Sequence, residues 1–278
     1  MEHDRDPEVR TAVHVRRILI GLDGSAHSRR ALEAAVELAR VFEAEVEGLF
    51  VEEDSWHRPG LSGGGRVVGA YTGTVRTLEP GELGRELGAA ARRLARLVEE
   101  AGGRLRLTSS FRVERGRPDA VILGAAGSVD LITVGCVGRA PGKAGRLGRT
   151  ARALIESSDR PVLLLGAGAQ LGRRIVLVHE AGETSDRALS LALQLAGRWG
   201  VTLELLTAEP SALRGATASD GEDGVRVHRV DAITPGALIR HVGPRTGTLV
   251  VVSRSGRLLA ESDAEATILR LQSPLLLV

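Results

Sequence analysis

The chain has 278 residues, 43% of them hydrophobic and 26% charged, which is enough for about two domains and too apolar for general disorder. Its 37 basic and 35 acidic residues leave a net charge of +2, so global charge gives no argument for a nucleic-acid partner. Aromatic residues make up only 2% and the bases are 36 Arg with one Lys, Lys143, so the cores must be built from Ala, Val, Ile and Leu. A single cysteine, Cys136, permits no internal disulfide, no run approaches 18 apolar residues, and the charged residues 1–10 precede no apolar leader. A cytoplasmic protein without membrane association is expected, with residues 1–14 as a flexible tail.

Residues 15–23 (VRRILIGLD) form a short apolar run ending in turn residues, which suits a buried strand. Ser25 or Ser28 can cap a helix over 28–43, where Leu32, Ala35, Ala39 and Phe42 recur at helical spacing. A second strand follows at 45–52. Residues 54–77 show no sustained period and read as a long loop. Pro80 opens a helix with Leu83, Leu87, Ala90, Leu94 and Leu97 on one face, and Gly102 and Gly103 are expected to end it. Strands at 105–114, 131–134 and 161–165 alternate with helices at 118–126 and 147–157. Short apolar strands without alternation, each followed by a helix, indicate a doubly wound parallel α/β sheet.

An internal repeat sets the architecture. A shift of 157 positions lays Arg17, Ile18, Asp23, Ser28, Leu32, Ala39, Phe42 and Glu47 on Arg174, Ile175, Glu180, Ser185, Leu189, Ala196, Trp199 and Glu204 without a gap. Further on, Pro118 meets Pro235, LITVG at 131–135 meets LVVVS at 249–253, and PVLLL at 161–165 meets PLLLV at 274–278. Val113 is matched to Val230. The expected organisation is one domain at 15–168 and a degenerate, structural copy at 169–278. The second copy has a Ser-, Gly- and Asp-rich stretch at 211–224 where the first has its long loop and a helix, so it should lack one helix.

Ligands of doubly wound sheets bind beyond the carboxyl ends of the strands at the topological switch point. Two features lie there: Asp23 after strand one, and GCVGRAPGKAGRLGRT at 135–150, with glycines spaced Gly135-x2-Gly138-x9-Gly148. Glycines let backbone N–H groups approach phosphate, and the next helix presents its positive end. No acidic residue lies between Asp130 and Glu156, while Arg139, Lys143, Arg146, Arg149 and Arg152 contribute five positive charges. A close cation–phosphate pair is worth ~4 kcal/mol at an effective dielectric near 20, before desolvation.

The glycine pattern, the LDGS turn at 22–25, the PVLLL strand and the repeat together resemble the universal stress protein family in its tandem form. The resemblance implies two tandem five-stranded parallel sheets of the adenine nucleotide alpha hydrolase-like type, paired through their last strands as an intrachain pseudo-dimer. It implies ATP, or AMP or ADP, as ligand, with Mg2+ as a companion of ATP. The implied nucleotide-binding residues are Asp23, Val51, Gly135, Gly138, Gly148, Arg149 and Thr150, with Arg139 and Lys143 on the phosphates. The family has Ser or Thr directly after the last glycine, where this chain has Arg149, with Thr150 one step later.

In the second copy Ser253 replaces Gly135 and Gly256 stands opposite Gly138. Glu261, Ser262 and Asp263 fall opposite Gly148, Arg149 and Thr150, where two carboxylates would repel phosphate and substitute for an anion. One nucleotide per chain is expected.

Other chemistries fare worse. Gly142-Lys143 is followed by Ala144, which breaks the P-loop pattern, and GLDGSA after strand one is no dinucleotide fingerprint. There is no G-x-S-x-G elbow, and the seven histidines show no metal spacing, so no metal and no catalytic residue is assigned. Asp23 also reads as a turn cap, Val51 as core, and Cys136 as a small packed residue. The expected function is a nucleotide-responsive stress regulator acting on an unknown protein partner, with ATP hydrolysis at most slow. The alternative is a nucleotide-free interaction module of the same fold that serves dimerisation, including a homodimer.

Overall fold

The computed structural model describes residues 13–54, 66–68, 75–77, 82–138, 146–166, 168–180, 182–208, 224–243, 247–260 and 263–278. The first strand, β1 (Arg17–Leu22), buries Ile18, Leu19 and Ile20 completely, because helices cover both faces of the sheet. Helix α1 (Ala26–Phe42) starts where the Ser25 hydroxyl accepts the Ser28 N–H at 3.1 Å, which settles the choice between the two serines. β2 (Glu45–Glu53) pairs with β1 in parallel.

Inside the stretch expected as loop, β3 (Arg66–Val68) and β4 (Val75–Thr77) pair antiparallel as a separate hairpin. Three residues per strand are too few to show a period in sequence.

Helix α2 (Glu82–Arg104) runs through Gly102 and Gly103 instead of stopping at them. Gly102 serves packing: a Cβ there would lie 2.7 Å from the Ser109 Cβ on the next strand. That strand, β5 (Ser109–Gly116), therefore begins four residues later than expected, after a turn closed by the Gly102 carbonyl. α3 (Pro118–Ala125), β6 (Leu131–Gly135), α4 (Arg149–Ser157) and β7 (Val162–Leu165) complete the first half.

The second half contains β8 (Arg174–His179), α5 (Glu183–Trp199), β9 (Leu203–Thr207), β10 (Val225–Arg229), α6 (Pro235–Val242) and β11 (Thr248–Val252). It ends with α7 (Arg257–Ala260), α8 (Ala264–Arg270) and β12 (Leu275–Leu277). The segment expected to replace a helix, 211–224, lies outside the described residues except for Gly224. The bounds of β8 and α5 are those of β1 and α1 shifted by 157 residues. The register holds as well: Ile18 pairs Leu131, and Ile175 pairs Leu249. One match slips. Phe50 faces Val113 and Thr207 faces Arg229, so the counterpart of Val113 is Arg229, not Val230, with a one-residue gap before Pro235.

The strands form a single ten-stranded sheet, β10-β9-β8-β11-β12-β7-β6-β1-β2-β5. Each half is a parallel five-stranded sheet in the same internal order, and the halves join where β12 runs antiparallel to β7, with Leu276 opposite Leu163. One apolar layer lies under α1, α2 and α5, and the other under α3, α4, α6 and α8; both continue across the junction. Among the described residues, no helix is long and apolar enough to cross a membrane.

Candidate functional site

The chain leaves β1 toward β2 on one side and returns on the other at β6, so the switch point of the first half lies between β1 and β6. Asp23 follows β1 directly. Its Oδ1 accepts the Ser25 N–H at 2.9 Å, so it is a turn cap as well as a candidate ligand; its Oδ2 stays toward Gly138. Gly135 ends β6 against the first turn of α1. A Cβ there would stand 2.6 Å from the His27 Cβ, so only glycine lets the strand end so close to that helix. Burial holds the His27 imidazole below its ordinary value, against the opposing pull of Asp23.

Gly148 closes the loop: its N–H donates to the Cys136 carbonyl at 2.8 Å, and a Cβ on it would lie 3.2 Å from the Gly138 nitrogen. Gly148 is also the N-cap of α4, where no side chain caps the helix and the first turn holds no acid. Asp23, Gly135, Gly138 and Gly148 thus converge on one notch at a helix start that, among the described residues, no side chain caps, an arrangement suited to an anion. A Cβ on Gly138 would be 3.7 Å from Asp23 Oδ2, so the carboxylate leaves the notch free. Thr150 sits in the first turn of α4. Arg139 and Lys143 lie outside the described residues.

Two expected site residues have other engagements. The Arg149 guanidinium donates to Glu53 Oε1 at 2.8 Å, spanning from α4 to the end of β2. That pair engages the guanidinium, while the backbone of Arg149 forms the first residue of α4. The Val51 side chain is buried in the apolar layer, and since Phe50 pairs Leu22, its backbone is level with Asp23. Cys136 is buried, and burial pushes its thiol up to about 12, which makes it a packing residue without nucleophilic character.

The second half reaches into the site through residues more than 90 positions away, which local spacing does not announce. Glu265 of α8 accepts the Leu147 N–H at 2.6 Å and lies 3.3 Å from Arg152 Nη2. At the other end of α4, Arg254 donates to the carbonyls of Leu154 (2.7 Å), Ile155 (2.9 Å) and Arg160 (2.9 Å). A carboxylate at the start and a guanidinium at the end match the polarity of the helix.

The equivalent notch in the second half is plugged. Glu180, counterpart of Asp23, is one methylene longer, and its Oε2 accepts the Arg257 N–H at 2.9 Å. A Cβ on Gly256 would collide with that carboxylate. Glu180 therefore supplies an internal anion that the alignment of residues 261–263 did not point to. Asp263 makes no side-chain cap, its carbonyl instead accepting from Thr267, and residues 261 and 262 lie outside the described residues.

Residues 14–63 match the model of the universal stress protein family. A universal stress protein from Archaeoglobus fulgidus superposes with a TM-score of 0.67 at 20% identity, covering 96% of this chain and 97% of that one. A functionally unknown protein from Pseudomonas aeruginosa gives a TM-score of 0.60 at 16% identity, covering 95% and 92%. No curated protein matches the sequence. The family match thus covers the first strand, the first helix and the second strand, and the likeness over the full length of these structures is one of fold.

Proposed function

We propose that the first half binds one adenine nucleotide and that the protein acts as a nucleotide-responsive regulator rather than as an enzyme, any ATP turnover being slow. The observation that carries this reading is the contrast between the two notches. Asp23 leaves Gly138, Gly148 and the start of α4 open, whereas Glu180 occupies the matching space beside Gly256. In the proposed pose the polyphosphate lies at the start of α4, on the N–H groups of Gly138, Arg149 and Thr150, with Arg139 and Lys143 adding charge. Asp23 and the backbone of Val51 take the ribose and adenine end. ATP makes the most of Arg139, Lys143 and Arg146, since Arg149 and Arg152 are paired with Glu53 and Glu265; AMP and ADP would use fewer of them, and Mg2+ would accompany ATP on its phosphates. The domain division at 168/169, a cytoplasmic location and self-association as a homodimer belong to the same proposal, as does an unidentified protein partner.

Calorimetry on purified, nucleotide-stripped protein with ATP, ADP and AMP tests it, together with Gly138→Val, whose side chain would fill the notch. One ATP per chain in the wild type and none in the variant is expected. Two equivalent sites would refute the asymmetry. No binding at millimolar ATP would favour the nucleotide-free interaction module.

A further inference from the structure

The second half carries a cluster far from either notch. Glu204 on β9 pairs in register with Arg226 on β10, and His228 lies two residues further along the same face. Helix α6 brings His241 to that face from its last turn. His241 Nε2 lies 3.0 Å from Glu204 Oε2, His228 Nε2 lies 3.8 Å from the same oxygen, and the two imidazole rings are 4.5 Å apart. The three ligand atoms all lie within 4.8 Å of one another. His228 Nε2 is buried without a hydrogen-bond partner. The seven histidines show no metal spacing in sequence because these two come from different elements.

We propose that Glu204, His228 and His241 form a binding site for a divalent transition-metal ion of the zinc class, with its fourth coordination position open to the adjoining pocket. Tetrahedral ligation at ~2.0–2.1 Å sets ligand atoms about 3.3 Å apart, and the 3.0 and 3.8 Å separations bracket that value. Arg174 grips both Glu204 oxygens at 2.8 Å and spends its remaining donors on the carbonyls of His241 and Val242 and on Thr248. It orients the carboxylate as outer-shell partners of ligating groups do. It also neutralises that carboxylate, which favours metals that prefer imidazole over Mg2+ or Ca2+.

Arg226 and Arg240 also line the pocket, and their charge favours an anion or hydroxide as the fourth ligand. The first half has nothing equivalent: Glu47, counterpart of Glu204, pairs directly with Arg112 at 2.6 Å, and Arg112 stands where His228 does. The counterpart of His241 is Gly124, so both imidazoles are peculiar to the second half.

Cobalt(II) titration of the full, chelator-stripped chain, read by visible absorption and followed by zinc(II) competition, tests the site. The expected result is one cobalt(II) per chain with a tetrahedral-type band that zinc(II) displaces. His228→Ala and His241→Ala should each weaken binding by about tenfold or more. His228 Nε2 has no hydrogen bond to lose among the described residues, so the His228→Ala variant should melt within a few degrees of the wild type in chelator. Absence of stoichiometric binding, or binding unchanged in both variants, would overturn the site. So would binding of inorganic phosphate that is lost in Arg226→Ala without any binding of cobalt(II).

Discussion

Replacing Arg254 with Met keeps much of the aliphatic stem and removes the three donors that hold the end of α4 to the second half. The Leu154 carbonyl retains the Ser158 N–H, and the Arg160 carbonyl retains the Ser158 hydroxyl, so each loses only its second partner. The Ile155 carbonyl loses its charged donor outright. An orphaned buried acceptor costs about 1–3 kcal/mol and each lost second bond roughly 0.5–1, while relief of the guanidinium's desolvation returns part of this. A net loss of about 2–4 kcal/mol follows, or about 3–7 °C in Tm for a chain of this size. Scanning calorimetry checks it beside Arg29→Ala, an exposed arginine on α1. If Arg254→Met melts within about 1 °C of that control, the inference that this arginine ties the halves together is wrong.

Cys136 should react with an aromatic disulfide reagent only on global unfolding, since its thiol is buried and raised to about 12; rapid native-state labelling would contradict the packing described. Stability should fall as the pH drops below about 6.5. His27 and His228 are both held below their ordinary value in the folded chain, so the unfolded chain binds more protons there, and stability is fully present above it. Thermal melts across pH in chelator read this directly, and Tm unchanged from pH 7.5 to 5 would refute it.

Most of the fold was legible because it is written twice. Apolar runs at 17–22 and 174–179 align without a gap, and the strand register reproduces the alignment on both sides of the first strand of each half. Where alignment relied on a single valine, at 113, it slipped by one, since an edge strand with alternating exposure has no long apolar run to fix its position. Gly102 and Gly103 misled as helix stops because a glycine chosen for close packing looks the same in sequence as one chosen for a turn. The glycine notch was readable from local spacing. The residues around it were not: Glu53, Glu265 and Arg254 arrive from distant elements, and Glu180 plugs its notch through one methylene that an alignment scores as conservative.

The pair between Arg152 and Glu265 has a consequence for assembly. Aligning the last strands sets residue 152 opposite residue 265, so the two are counterparts that meet across the approximate two-fold axis. In a true symmetric dimer a residue near the axis meets its own copy, and a charge there faces the same charge. Two first halves brought together in this way would set Arg152 against Arg152, and two second halves would set glutamate against glutamate. Opposite charges at such a position are available only to partners with different sequences, and joining both copies in one chain supplies that difference. The junction therefore encodes a preference for unlike halves: each first half is matched to a second half, its own or that of an exchanged copy, and not to another of its kind.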